Sequence, residues 1–245
     1  MSSPISLISL IDEHMYSIQQ SSERDNTKFH PSSIGSCVRQ IVYSMLECET
    51  SPHEPRLMRI FECGHSMHDR FERWFGEMGI QIVPELVLDE HSSVDTIAEK
   101  CRTLNISGRT DSVIIYNDKF YLVELKSANS NMFKYQLKQP KEQHLWQLQV
   151  YMYLTNIHEG FLLYEDKNTQ ELKEFYIRYD PKLVSMLLDR IKFVNEHVAN
   201  RTLPAREGED STWMCKYCNY NDACQATDDN QGLVASGRVR IENPP

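Results

Sequence analysis

The stretch from Gly108 to Lys126 constrains this chain more than any other. Two runs, 112–116 and 119–125, are rich in Val, Ile, Tyr and Phe, and Asn117-Asp118 lies between them. That pattern predicts two strands joined by a two-residue hairpin turn. With such a turn the paired residue numbers sum to 235, which sets Asp111 opposite Glu124. Side chains alternate along a strand, so Glu124 and Lys126 share one face. Opposed strand positions hold their Cβ atoms about 4.5–5.5 Å apart. Two carboxylates that close repel one another unless a cation lies between them. Mg²⁺ or Mn²⁺ suits such oxygen ligands. Lys126 then stands where it can orient a water or neutralise charge on a phosphate. A hairpin with solvated charges is the plain alternative. Against it, Glu124 and Lys126 are set among Leu122, Val123 and Leu125, where charges need a purpose.

Composition bounds the rest. At 245 residues, 40% hydrophobic and 25% charged, the chain is long enough for one sizeable core and is not compositionally disordered. No apolar run approaches the ~20 residues of a membrane span, and the start lacks the basic flank and cleavage site of a leader. The expectation is a cytoplasmic protein, in the host cytoplasm if phage-encoded, with no membrane partner. The formal net charge of −9 excludes coating of nucleic acid by global charge but permits a local basic groove. Lys126, Lys134, Lys138 and Lys141 lie in a stretch without any acidic residue, interleaved with Phe133 and Tyr135. Such a segment can meet a DNA backbone and stack on bases, or can be a solvated loop.

Along the chain, residues 1–28 read as a helix and a loose connector, 29–225 as a single domain, and 226–245 as a polar tail. Helices are expected around Cys37–Met45, over 57–78, over 141–156 and from Pro181 to about Asn200. Residues 80–88 read as one strand with Pro84 at an edge or bend. Residues 89–104 give no clear structure, 161–164 and 171–179 read as a further strand pair, and 203–225 as a cysteine-bearing loop. The order points to an α/β core with helical additions at both ends.

Two further segments carry polar side chains suited to phosphodiester chemistry. Gly64-His65-Ser66-Met67-His68 is read as the start of the helix that runs through Trp74. The helix over 141–156 presents His144, Gln147 and Tyr151 as a polar stripe on an otherwise apolar surface. Gly64 to His68, Asp111 within Gly108-Arg109-Thr110-Asp111, Glu124-x-Lys126 and Gln147-x-x-x-Tyr151 together resemble the GxxxH, GxxD, ExK and QxxxY motifs of PD-(D/E)XK nucleases of the RecB type. The resemblance spans about residues 30–225. It implies a restriction-endonuclease-like core, a central mixed β-sheet flanked by helices. It also implies that His68, Asp111 and Glu124, with the backbone carbonyl of Leu125, ligate Mg²⁺ or Mn²⁺. Lys126 would position the attacking water, and Gln147 and Tyr151 would contact substrate or steady the site.

Seven cysteines cannot all pair internally. Cys48, Cys63 and Cys101 read as buried thiols. Cys215-x-x-Cys218-x₅-Cys224 is a compact triplet in need of a fourth ligand, and Cys37 is the candidate. Spacing alone does not separate zinc from an iron–sulfur cluster. The resemblance implies a 4Fe-4S cluster. The iron–sulfur subset of the RecB-like nucleases, which includes CRISPR-associated exonucleases, places one cysteine before the core and such a triplet after it. The cluster then clamps the ends of the chain.

The function expected is a metal-dependent DNA nuclease, foremost an exonuclease on single-stranded ends, in DNA processing, recombination or repair. Its alternatives are a structure-selective endonuclease and a DNA-end binding subunit of a recombination or packaging assembly. No GxxxxGK[ST] loop is present, so unwinding would come from a helicase or other recombination partner.

Overall fold

A computed structural model describes residues 5–19, 25–50, 52–206 and 213–227. In chain order the elements are α1 (Leu7–Gln19), α2 (Val38–Met45), α3 (Pro55–Glu77), β1 (Gln81–Pro84), β2 (Val87–Leu88), α4 (Asp95–Leu104), β3 (Gly108–Arg109), β4 (Ser112–Tyr116), β5 (Lys119–Ala128), α5 (Glu142–Thr155), β6 (Glu159–Asp166), β7 (Leu172–Arg178), α6 (Pro181–Asn200), α7 (Trp213–Lys216) and α8 (Asn221–Ala226). A 3₁₀ turn covers Pro31–Ser33 and a π-helical turn covers Met132–Gln136.

The main sheet is mixed, in the order β1-β4-β5-β6-β7. The β4–β5 hairpin has the expected register, with Ser112 opposite Val123 and Tyr116 opposite Lys119. Its turn places Asn117 and Asp118 both at positive φ, 49° and 58°. This is the left-handed pair that lets a two-residue turn follow the strand twist. β5 continues past Leu125 to Ala128, so Lys126 belongs to the strand and not to the loop beyond it.

β5 pairs in parallel with β6 through α5, with Glu124 opposite Leu162 and Lys126 opposite Tyr164. Only glycine fits at position 160, because a Cβ there would meet the carbonyl oxygen of Leu122 at 2.5 Å. α5 is buried along its second half, from Gln147 to Leu154 apart from the half-buried Tyr153, and packs Leu148, Val150, Met152 and Leu154 into the core. On the other side, Met67 and Phe71 of α3 pack on Val123 and Leu125. β5 is therefore covered from both sides at the point where its charges sit.

Several expectations are corrected. Residues 80–88 form two strands in different sheets, split where Pro84 ends β1 and Glu85 turns to φ 46°. The Gly64–His68 segment lies inside α3, which starts nine residues before Gly64 with Pro55 in its first turn. α4 occupies part of the stretch without a clear reading and buries Ile97, Ala98, Cys101 and Leu104. The described part of 203–225 contains the short helices α7 and α8 and not only loop. Cys48 and Cys101 are buried, but Cys63 is exposed on α3. The expected polar tail lies outside the described residues from 228 onward.

Candidate active site

Asp111 lies two positions after the end of β3 and one before β4. Its Oδ2 accepts a 2.7 Å hydrogen bond from the backbone N–H of Leu125. The same tight corner is held from behind. Tyr151 Oη donates to the carbonyl of Arg109 (2.8 Å) and accepts from Gln147 Nε2 (3.1 Å). Gln147 and Tyr151 are 5% and 3% exposed, so they brace the Gly108–Asp111 segment from the core. The Glu85 N–H donates to the carbonyl of Asp111 at 3.1 Å from the other side.

Glu124 is 1% exposed. Its Oε1 lies 2.6 Å from Lys126 Nζ. Its Oε2 is buried and, among the described residues, has no hydrogen-bond partner. A buried carboxylate oxygen left in that state is costly unless a cation completes it. His68 Nδ1 reaches Asp111 Oδ1 at 3.5 Å from α3. The sequence-selected His68, Asp111, Glu124 and Lys126, drawn from α3, the β3–β4 corner and β5, are thus brought to one place.

The electrostatics follow from burial. It pushes the carboxyls of Asp111 and Glu124 well above the usual range, and Asp111 raises Glu124 further. Burial opposes the Lys126 ammonium, but the two carboxylates together raise its pKa. Burial lowers His68, which favours the neutral imidazole that ligates metals. A carboxylate pair that resists ionisation, beside a neutral imidazole, is a donor set that fits a hard divalent cation. Among the described residues, no three His, Cys, Asp or Glu side chains are gathered tightly enough to chelate an ion as they stand.

His68 and Lys126 line a cavity of about 400 Å³, together with Asn129, Lys141, His144 and Lys167. Sequence reasoning placed His144 in the polar stripe without a role. Its Nδ1 pairs with Tyr164 Oη at 2.8 Å, and Lys141 N–H donates to the same hydroxyl at 3.2 Å. Burial, with Lys126 and Lys141 nearby, pushes His144 down to about 3. Lys167 was missed, because only the long-range parallel pairing of β5 and β6 carries it to this wall. Of the candidate DNA contacts, Lys134, Tyr135, Lys138 and Lys141 are exposed. Phe133 is buried instead, with Lys173 Nζ over its ring at 4.7 Å, so it offers no stacking face.

The four sequence-selected cysteines lie on two segments that the fold brings near each other. Cys37 stands immediately before α2, Cys215 in α7, Cys218 in the following turn and Cys224 in α8. Burial raises the thiols of Cys218 and Cys224, and the thiol of Cys37 pushes both in the same direction. Cys37 is therefore within electrostatic reach of residues 181 and 187 positions later in the chain. The two segments are fastened at their flanks. Fully buried Arg39 donates to the carbonyl and the hydroxyl of Thr227, at 3.2 and 2.9 Å. Tyr43 stacks on Tyr220 with ring centroids 5.4 Å apart. Arg190 of α6 holds the approach to Cys37 through the carbonyls of Ile34 and Ser36. Four thiols are a donor set whose chemistry fits a Cys₄ metal group.

A mixed sheet with a carboxylate and a lysine on its central strand, and a second carboxylate tethered beside them from the β3–β4 corner, defines an α/β protein of the phosphodiesterase type. Comparison with known proteins agrees with that class. The pattern of the PD-(D/E)XK nuclease superfamily matches residues 15–225, and the chain belongs to that superfamily. Its nucleases generally use divalent metals such as Mg²⁺ or Mn²⁺. The chain is 27% identical over 150 residues to the CRISPR-associated exonuclease Cas4 of Saccharolobus solfataricus, a match covering 58% of this chain and 66% of that protein. It thus spans just under two thirds of the relative's length. Among solved structures, SSO0001 superposes with a TM-score of 0.58 at 17% identity, covering 90% of this chain and 96% of the other. A phage-related exonuclease from Haemophilus somnus 129PT gives 0.50 at 11% identity, covering 74% and 96%. These likenesses are of fold.

Proposed function

We propose that the protein is a metal-dependent deoxyribonuclease, an exonuclease acting on single-stranded ends. The observation that carries this reading is the buried Glu124 carboxylate. Its Oε1 is held by Lys126, its Oε2 has no protein donor among the described residues, and it lies beside the tethered Asp111. His68, Asp111 and Glu124, with the backbone carbonyl of Leu125, would hold Mg²⁺ or Mn²⁺. Such an ion, when bound, polarises a phosphate and makes water nucleophilic near neutral pH. Lys126 presents a fixed ammonium beside the reacting phosphate and orients the attacking water. Gln147 and Tyr151 keep Asp111 in place. Exposed Lys134, Tyr135, Lys138 and Lys141 form a basic, aromatic lip for the DNA backbone. Relatedness to a CRISPR-associated exonuclease supports the exonuclease form of this reading.

The same reading assigns Cys37, Cys215, Cys218 and Cys224 to one 4Fe-4S cluster, with zinc as the alternative metal. Its role is to tie the start of the domain to its end, and the contacts of Arg39 and Tyr43 with residues 220–227 support that role.

The test is the product pattern from end-labelled linear and circular single-stranded DNA, with Mg²⁺, with Mn²⁺ and with EDTA. Stepwise shortening of linear strands with metal, and intact circles, are expected. Cleavage of circles would make the protein an endonuclease, and undiminished cleavage in EDTA would remove the metal from the reading.

A further inference from the structure

The catalytic cavity does not end at His68. A second cavity, of about 1190 Å³, shares Gly64, His68, Ser127 and Lys167 with it and runs away between α1, α2 and α3. We propose that this groove is the binding path for the single strand adjoining the scissile bond, with Tyr16 of α1 and Phe61 of α3 as the stacking faces for its bases. The proposal takes from the nuclease reading only the position of the cleaved bond.

Three features of the wall argue for a nucleic acid strand. Tyr16 and Phe61 are 43% and 42% exposed, so each offers ring surface to the groove. An apolar ring left half open beside a polar cleft is suited to stack an unpaired base, whose π-face is available in every sequence. Polar hydrogen-bonding side chains such as Gln40, Ser33 and Asn219 make up much of the remaining wall. Finally, in a chain with net charge −9, Glu62 is the one carboxylate lining this groove among the described residues, and exposed Lys167 stands at its junction with the catalytic cavity. A polyanion avoids most of this protein's surface and is admitted here. Duplex DNA does not satisfy the first feature, because its bases already stack on one another.

The groove is about three times the size of the catalytic cavity. The groove has room for more than one nucleotide beyond the catalytic cavity. α1 forms one bank of this path. It is fastened by the Asp12–Arg59 ion pair and by a paired link in which Gln19 Nε2 donates to His53 O and His53 N–H donates to Gln19 Oε1, at 3.1 and 2.6 Å.

The test uses the full chain and 5′-fluorescein oligothymidines in EDTA, read by anisotropy. Affinity is expected to climb with strand length while the groove fills and then to flatten. The Tyr16→Ala/Phe61→Ala double variant should lose about tenfold or more on the longer strands, with an unchanged melting temperature. Photocrosslinking of strands carrying 5-iododeoxyuridine to the unsubstituted protein should label Tyr16 or Phe61, and it decides the matter even if the double variant misfolds. Wild-type affinity in a folded double variant, or crosslinks confined to residues 132–141, would overturn the proposal. If the protein degrades DNA normally while either of those results is found, the groove falls and the nuclease reading stands. If it leaves DNA intact with Mg²⁺ and Mn²⁺ yet crosslinks at Tyr16 and Phe61, the groove stands and the nuclease reading falls.

Discussion

Asp111 is bonded not to its opposite number but to the residue after it. Its Oδ2 takes the Leu125 N–H at 2.7 Å, between Glu124 and Lys126. The tether aligns a carboxylate on a short corner with a second carboxylate on a long strand. It also spends one Asp111 oxygen, which leaves Oδ1 toward His68.

Loss of either strand charge should stop cleavage without unfolding the protein. Lys126→Ala is expected to lower kcat by about 10²–10³, and Glu124→Gln by at least as much. Circular dichroism and gel filtration should match the wild type. A Lys126→Ala enzyme cutting at the normal rate would remove that residue from the chemistry.

The pH dependence of stability has a definite sign. Burial raises Glu124 above its unfolded value, so between the two the folded chain binds the extra proton. Its stabilising contribution is full at acidic pH and is lost as pH rises through the folded value. Glu124→Gln lacks that titration. In EDTA, therefore, the melting temperature of the variant relative to wild type should rise between about pH 5 and pH 8. Added Mg²⁺ should stabilise the wild type more at the upper pH, where both carboxylates are free to ligate. A gap that is flat with pH would show that Glu124 ionises freely.

On the proposed reading Tyr151 acts through the Arg109 carbonyl and not through the substrate. Tyr151→Phe deletes two buried hydrogen bonds, one to the Arg109 carbonyl and one from Gln147, each worth about 1 kcal/mol, and should lower the melting temperature by about 4–8 °C. Because the first bond holds Arg109 next to Asp111, kcat should fall with little change in KM. A raised KM with normal kcat would mark Tyr151 as a substrate contact.

Protein purified without oxygen should be brown and contain iron and sulfide. Cys37→Ala or Cys218→Ala should bleach it and reduce solubility and thermal stability before affecting the chemistry at Glu124, since closing so long a loop restricts the unfolded chain strongly. One zinc per chain with no iron would keep the clamp and change its metal.

What could be read from residues alone was local. The hairpin register follows from Asn117-Asp118 and the flanking alternation, and α6 begins where Pro181 says it does. Asp180 caps it by accepting from the N–H groups of Lys182 and Leu183. α4 was readable too, since Ile97, Ala98, Cys101 and Leu104 fall on one helical face, but short polar surroundings concealed it. The approach of Lys167 to Lys126 was not readable. It depends on parallel pairing across an intervening helix, for which no turn dipeptide leaves a mark. Gln149 was missed for a similar reason. Its amide bonds the carbonyl of Arg178 and the N–H of Asp180, partners fixed only once β7 is in place.

The hairpin turn also works as a counting device. Glu124 lies thirteen positions after Asp111, and the turn converts that count into a position on a face. One residue more or fewer at Asn117-Asp118 would slide β5 by a step and deliver Val123 or Leu125, not Glu124, to the place opposite Asp111. The spacing can lengthen only by whole cross-strand pairs, two residues at a time. Length changes elsewhere between the elements alter reach or shape, whereas an odd change here turns a pair of acids into an acid facing a valine or a leucine.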